Sequence, residues 1–177
     1  LEFEYRRHGT LCLIPSFDVV TGSIMAYTIK ETRDEKDFAG HVAQTIATDQ
    51  AAQWIFVLDQ LNTHISESLV RLVARHIGYE GDLGKKNRRG VLRNVATRRD
   101  FLSDPSHRIR FVYTPKHCSW LNQVEIWFGV LARKVLKRGS FLSREHLRSE
   151  IERFIDYFNR TMAKPYKWVY RGAPLRA

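Results

Sequence analysis

With 177 residues, 44% of them hydrophobic and 12% aromatic, the chain is long enough for one compact domain with a buried core, and its composition excludes a disordered polymer. Twenty-nine Lys and Arg against nineteen Asp and Glu give a net charge of +10 and a pI near 9.9, which favours a polyanionic partner through phosphate neutralisation and counterion release. No apolar run reaches about 18 residues, so no membrane-spanning helix is expected. Cys12 and Cys118 are the two cysteines and build neither a disulfide framework nor a zinc site, so a reducing, cytoplasmic compartment is expected.

Residues 10–17 and 23–29 read as the strands of a hairpin, with Asp18 and Gly22 supplying turn chemistry and Pro15 suited to an edge or a bulge. Residues 35–53 read as a helix capped by Asp34, with Phe38, Val42 and Ile46 in helical register. Trp54 to Leu58 is a continuous apolar run, the pattern of a strand buried on both faces. Ser66 caps a helix bearing Leu69, Leu72, Val73 and Ile77, which Gly78 stops. The segment 79–108 then breaks the pattern with Lys85, Lys86, Arg88, Arg89, Arg93, Arg98 and Arg99. It reads as a long basic insertion, part of it helical between Val91 and Phe101. Ile109 to Tyr113 is a further strand. A helix is expected from about Gln123 to Arg138, ended by Gly139, and Ser143 caps a last one with Leu147, Ile151, Phe154, Ile155 and Phe158 inward. An irregular tail follows, packed by Tyr166, Trp168 and Tyr170. This order predicts a single α/β domain: a mixed sheet with helices on its faces.

Two acids stand where chemistry is commonly placed. Asp59 directly follows the apolar strand, and acids at such strand ends reach into the functional crevice of an α/β sheet. Asp59 or Asn62 could equally cap backbone amides of a helix-entry loop. Glu125 opens an apolar-periodic helix with Val124, Trp127, Phe128, Leu131 and Val135 on its stripe and Gly129 and Ala132 on the face of the acid. Here too a structural account competes: Asn122 as N-cap and Glu125 three residues on match a capping box. Arg133, Lys134, Lys137 and Arg138 crowd the end of this helix, where they complement its dipole or contact phosphates. His117 and Cys118 are sequence neighbours with no third orienting group, a poor nucleophilic pair. No histidine spacing suits zinc; carboxylates suit magnesium or manganese.

The motif Asp59-Gln-Leu-Asn-Thr-His64, followed by Tyr113-Thr-Pro-Lys-His-Cys-Ser-Trp-Leu-Asn-Gln-Val-Glu125, resembles the catalytic core of the DDE transposases of the mariner superfamily, bacterial insertion-sequence branch. The likeness extends from Glu4-Tyr-Arg-Arg-His-Gly-Thr10 through Gly139-Ser-Phe141 to Pro165-Tyr-Lys-Trp168, nearly the whole chain. One departure is Gln60, where the family usually has Asn. The resemblance implies an RNase H-like fold and a two-metal site for Mg2+ or Mn2+, with Asp59 as second and Glu125 as third acid of a triad. It implies cleavage of DNA phosphodiesters at transposon ends and strand transfer, with assembly as a homo-oligomer on DNA. Lys116, His117, Trp120, Arg133, Lys134, Lys137 and Arg138 are the expected DNA contacts. The family's first acid lies on a strand upstream of the segment matching Glu4 to Thr10, and that strand is the central one of the sheet. Asp18 matches the hairpin turn and does not take the role. The chain is therefore expected to carry two of three acids, to lack the helix-turn-helix region that reads transposon ends, and to be inactive alone. A non-catalytic DNA-binding module and another RNase H-like nuclease are the rival readings.

Overall fold

The computed structural model describes residues 8–115 and 121–165, together with the backbone but not the side chain of Arg138. The expectations for Lys116, His117, Cys118 and Trp120, for the Arg138 side chain and for the aromatic tail from Tyr166 lie outside the described residues.

The expected hairpin is present. Strand β1 (Cys12–Asp18) pairs antiparallel with β2 (Ser23–Lys30), with a register shift between Ser16 and Phe17 next to Pro15, as its missing N–H favours. Gly22 closes the turn at φ +73°, and a Cβ there would lie 2.0 Å from the Lys164 carbonyl oxygen, so the position needs glycine twice over. The outer edge of β2 is covered by α5 (Arg144–Thr161): the Asn159 amide accepts from Ile24 N at 2.9 Å and donates to Ile24 O at 2.8 Å, while Arg148 donates to Ile29 O at 2.9 Å. Such capping occupies backbone groups that would otherwise recruit a foreign strand.

Helix α1 (Glu35–Ala47) begins at Asp34, whose carboxylate accepts from Lys36 N and Asp37 N while Asp37 returns the bond. It stops at Ala47, six residues short of the expected end, because Asp49 turns the chain by accepting from Ala51 N and Ala52 N. Strand β3 (Trp54–Leu58) pairs parallel with β4 (Ile109–Tyr113). Between them run a 3-10 turn (Asn62–Ile65), α2 (Glu67–His76) capped by Ser66, and α3 (Val95–Leu102) capped by Asn94. Helix α4 (Val124–Lys134) and a 3-10 turn (Leu136–Arg138) precede α5.

The antiparallel and parallel pairings of a mixed sheet are thus both present, but as two separate two-stranded sheets; no strand joins β1 to β3 among the described residues. One expectation is corrected. Strand β3 is not buried on both faces: Ile55 is 54% and Val57 43% exposed, with Val112 of β4 47% exposed beside them. Helices cover only the face of Phe56 and Phe111, and among the described residues nothing screens the other.

Two apolar cores result. The first joins α1, α2, α3, β3 and β4 around Ile46, Ile65, Leu69, Leu102 and Phe111; the second joins the hairpin to α4 and α5 around Trp127, Ile151, Ile155 and Phe158. Strand alternation lets β1 serve both, Ile14 packing on the first core and Leu13 on the second. The basic segment is folded into the first core, where Leu92, Phe101 and Leu102 are buried.

Candidate active site

Asp59 leaves the C-terminal end of β3, and two contacts on one carboxylate oxygen fix its position. Its Oδ1 lies 2.6 Å from His64 Nδ1 and accepts from Leu61 N at 3.3 Å. The ring of His64 packs 4.3 Å, centroid to centroid, from Phe38 of α1, and its backbone carbonyl accepts from the Tyr113 hydroxyl at 2.9 Å. Burial holds the imidazole below its ordinary range and the Asp59 carboxylate only partly opposes this, so His64 is a neutral ring donating Nδ1–H to the carboxylate. Burial likewise pushes the Tyr113 phenol upward, keeping it a protonated donor.

Gln60 shows what the departure from Asn does. Its amide donates to Thr114 O at 2.8 Å and accepts from Arg99 at 3.0 Å. One side chain thereby ties the loop after β3 to the residue that precedes Pro115 and to α3. Arg99 also lies over the Tyr113 ring at 5.5 Å, a cation–π contact that keeps the guanidinium in place.

Glu125 stands in the first turn of α4 without a capping role. The N-cap is Gln123, not Asn122, and no side chain caps the helix. Backbone carbonyls serve the early amides instead: Glu125 N donates to Asn122 O at 3.0 Å and Ile126 N to Gln123 O at 3.1 Å. The Glu125 side chain is exposed and has no partner among the described residues. Gly129 does not admit a second element either; the guanidinium of Arg133 fills the space beside it, 3.3 Å from where a Cβ would lie.

The two acids meet at one cavity of about 160 Å3, bounded by the ends of β1 and β3 and the start of α4. Asp59, His64, Glu125, Asn122, Arg33 and Asp34 give it polar character, and Leu13, Ile14, Pro15 and Phe128 are among its apolar wall. It lies at the junction of the two cores, Asp59 reaching it from the first and Glu125 from the second. A larger hollow of about 610 Å3, beside residues 76–81 and 106–108, is lined by neither acid. Asp18 is elsewhere: its carboxylate accepts from Val20 N at 2.9 Å and Thr21 Oγ1 at 2.7 Å within the hairpin turn. Arg133, Lys134 and Lys137 are exposed but do not line the cavity; Lys134 lies about 13 Å along the axis from Glu125 at 1.5 Å per residue.

The donor chemistry of the cavity fits a hard divalent cation, since carboxylate oxygens ligate without losing charge. The set is short, however. Asp34 also faces the cavity but spends Oδ1 capping α1, and no group of three or more His, Cys, Asp or Glu is placed to share a metal among the described residues. Sequence reasoning missed Arg33, Asp34 and Phe38 as cavity residues. Asp34 was legible only as a helix cap, and nothing local marks a residue that reaches a site from a different element.

The site is thus that of an α/β chain with one acid at a parallel strand end and another at a helix start, both facing one cavity. Residues 2–148 match the family described as DDE superfamily endonuclease, and the chain belongs to that family. The mixed α/β arrangement of small sheets and flanking helices agrees with its RNase H-like fold. No curated protein and no solved structure matches the chain. Among the described residues no helix is long and apolar enough to cross a membrane.

Proposed function

We propose that the chain is catalytic-domain material of a DNA transposase, of the mariner superfamily in its bacterial insertion-sequence branch, acting on DNA ends as a homo-oligomer. Asp59 and Glu125 are its second and third acids. The observation that carries this reading is Glu125: an exposed carboxylate with no partner and no capping duty, facing the cavity of Asp59. Asp59 and Glu125 would hold Mg2+ or Mn2+, which supplies an activated oxygen nucleophile and charge stabilisation for the leaving oxygen. The chain's own contribution is placement. His64 occupies one oxygen of Asp59 and turns the other free, Gln60 and Arg99 fix the loop, and Arg33 offers a cation to a phosphate in the cavity.

Among the described residues no group of three metal-ligating side chains forms, and the 177-residue chain alone is expected to leave supercoiled plasmid intact in Mg2+ or Mn2+. Robust nicking abolished by Asp59→Ala would overturn that. In a longer product carrying an upstream acid, Glu125→Gln should remove both cleavage and transfer to a target by a 3′-hydroxyl end; retained activity would sink the assignment. Another RNase H-like nuclease would cut without strand transfer. The rival reading, a DNA-binding module without catalysis, would bind DNA equally well with and without metal.

A further inference from the structure

The ten residues from Gly84 to Arg93 carry five cations and no acid. Their backbone is tightly closed: Lys85 and Arg89 form an antiparallel bridge, Leu92 N donates to Leu83 O at 3.0 Å, and Gly84 and Gly90 press together so closely that a Cβ on Gly84 would lie 2.1 Å from Arg89 O. Two of the cations are matched within the chain, Arg89 by Asp82, and Lys86 by Glu35 and Glu67 at 3.6 and 3.8 Å. Lys85, Arg88 and Arg93 are exposed and have no side-chain partner among the described residues. A loop that closes like this concentrates like charges against their mutual repulsion, which a polyanionic ligand would relieve.

The loop is anchored to the site. Leu92 is fully buried in the first core, and the buried guanidinium of Arg98 donates to Leu92 O at 3.3 Å and to Ile65 O at 2.8 Å, joining the loop to the turn that follows Asp59. On its other side, Lys86 reaches Glu35, two residues beyond Arg33, which lines the cavity beside His64 and makes no hydrogen bond or ion pair among the described residues. The loop therefore adjoins the start of α1, where Arg33 lines the cavity of the acids.

We infer that Lys85, Arg88 and Arg93, continued by Arg33, form a track that binds the phosphate backbone of duplex DNA and leads it into the Asp59–Glu125 cavity. This rests on the reading of the chain as a DNA-processing protein. Phosphate contacts position a duplex without reading its sequence, so binding at this track is sequence-independent and salt-dependent. The test is titration of a short labelled duplex with the full chain, without metal, between about 50 and 200 mM salt. The slope of log K against log salt should fall by about 2.7 in the Lys85→Ala/Arg88→Ala/Arg93→Ala variant, at about 0.9 per lost contact, and by about 0.9 in Arg33→Ala. Arg153→Ala/Arg160→Ala, which removes cations already paired on α5, should leave the slope unchanged. Circular dichroism establishes that each variant is folded. If the wild type binds with a steep slope that the loop variant keeps, or that the α5 variant lowers equally, the track is wrong and the DNA reading stands. If the wild type binds no duplex, both fall.

Discussion

Glu125 and His41 are the two residues on which a structural and a functional account separate most clearly. Because Glu125 caps nothing, Glu125→Gln should shift stability by less than about 0.5 kcal/mol, as for a surface change touching no special feature. Urea denaturation checks this, and a loss near 1 kcal/mol would restore the capping account. His41 has the opposite character. It is buried with Nε2 2.9 Å from Ser16 Oγ and Nδ1 3.0 Å from Thr28 Oγ1, and the Thr28 hydroxyl donates onward to Gln44 at 3.2 Å. Burial lowers its pKa from 6.5 to about 4. The unfolded chain therefore takes up a proton as pH falls below 6.5 while the folded chain stays neutral until about 4. Stability is full above that window and declines through it, by on the order of 3 kcal/mol for this group. Unfolding at pH 7 and pH 4.5 should show the difference, and His41→Gln should reduce it; an equal pH dependence in the variant would refute the assignment.

At the level of elements, each acid depends on the helix or strand that presents it. Trp127 is fully buried two residues after Glu125 and packs against Phe154 and Phe158 of α5, with ring centroids 6.3 and 6.2 Å away. Trp127→Ala should cost about 3–5 kcal/mol and loosen the helix carrying Glu125, seen as a lower denaturation midpoint. Ser66, buried and accepting from Leu69 N at 3.2 Å, caps the helix that supports the Asp59 loop; Ser66→Ala should cost about 1 kcal/mol. Much at this scale was readable from the sequence. Asp34, Ser66 and Ser143 cap helices as their position before apolar-periodic runs requires, and Gly22 and Gly78 take positive φ at the turns they close. Asn122 failed as a cap because α4 opens one residue later from a tight backbone turn, and side-chain identity does not reveal which of two adjacent amides begins the helix. Gln60 was visible as an exchange for Asn, but its grip on Thr114 and Arg99 depends on contacts 54 and 39 residues away. Periodicity carries no information at that range.

Across the whole molecule, the cavity is the place where two cores meet, and neither core alone holds both acids. The hairpin of β1 and β2 could be read locally; the division into two cores could not, since the first core depends on β3 pairing with β4, far apart in sequence. The run Trp54 to Leu58 illustrates the same limit. Five apolar residues promised burial on both faces, whereas Ile55 and Val57 are exposed because, among the described residues, helices cover only one side of β3 and β4. With Val112 they form an exposed apolar face. Ile55→Thr/Val57→Thr keeps the β-branched shape and should lower binding of a hydrophobic dye while changing stability by less than about 0.5 kcal/mol. A large loss of stability would mean that this face is covered.

The Arg98 guanidinium has a consequence for how the molecule opens. It cannot leave its place without stranding the Ile65 carbonyl and removing one of the two donors to Leu92 O, the other being Asn87 N. The turn after Asp59 and the basic loop should therefore unfold together as one cooperative unit, the amides of His64 and Leu92 exchanging hydrogen for deuterium with a common opening free energy. Arg98→Met, which keeps the aliphatic stem and removes the donors, should split that unit so that the loop exchanges first. Different protection of the two amides in the wild type would show that the loop and the site move independently.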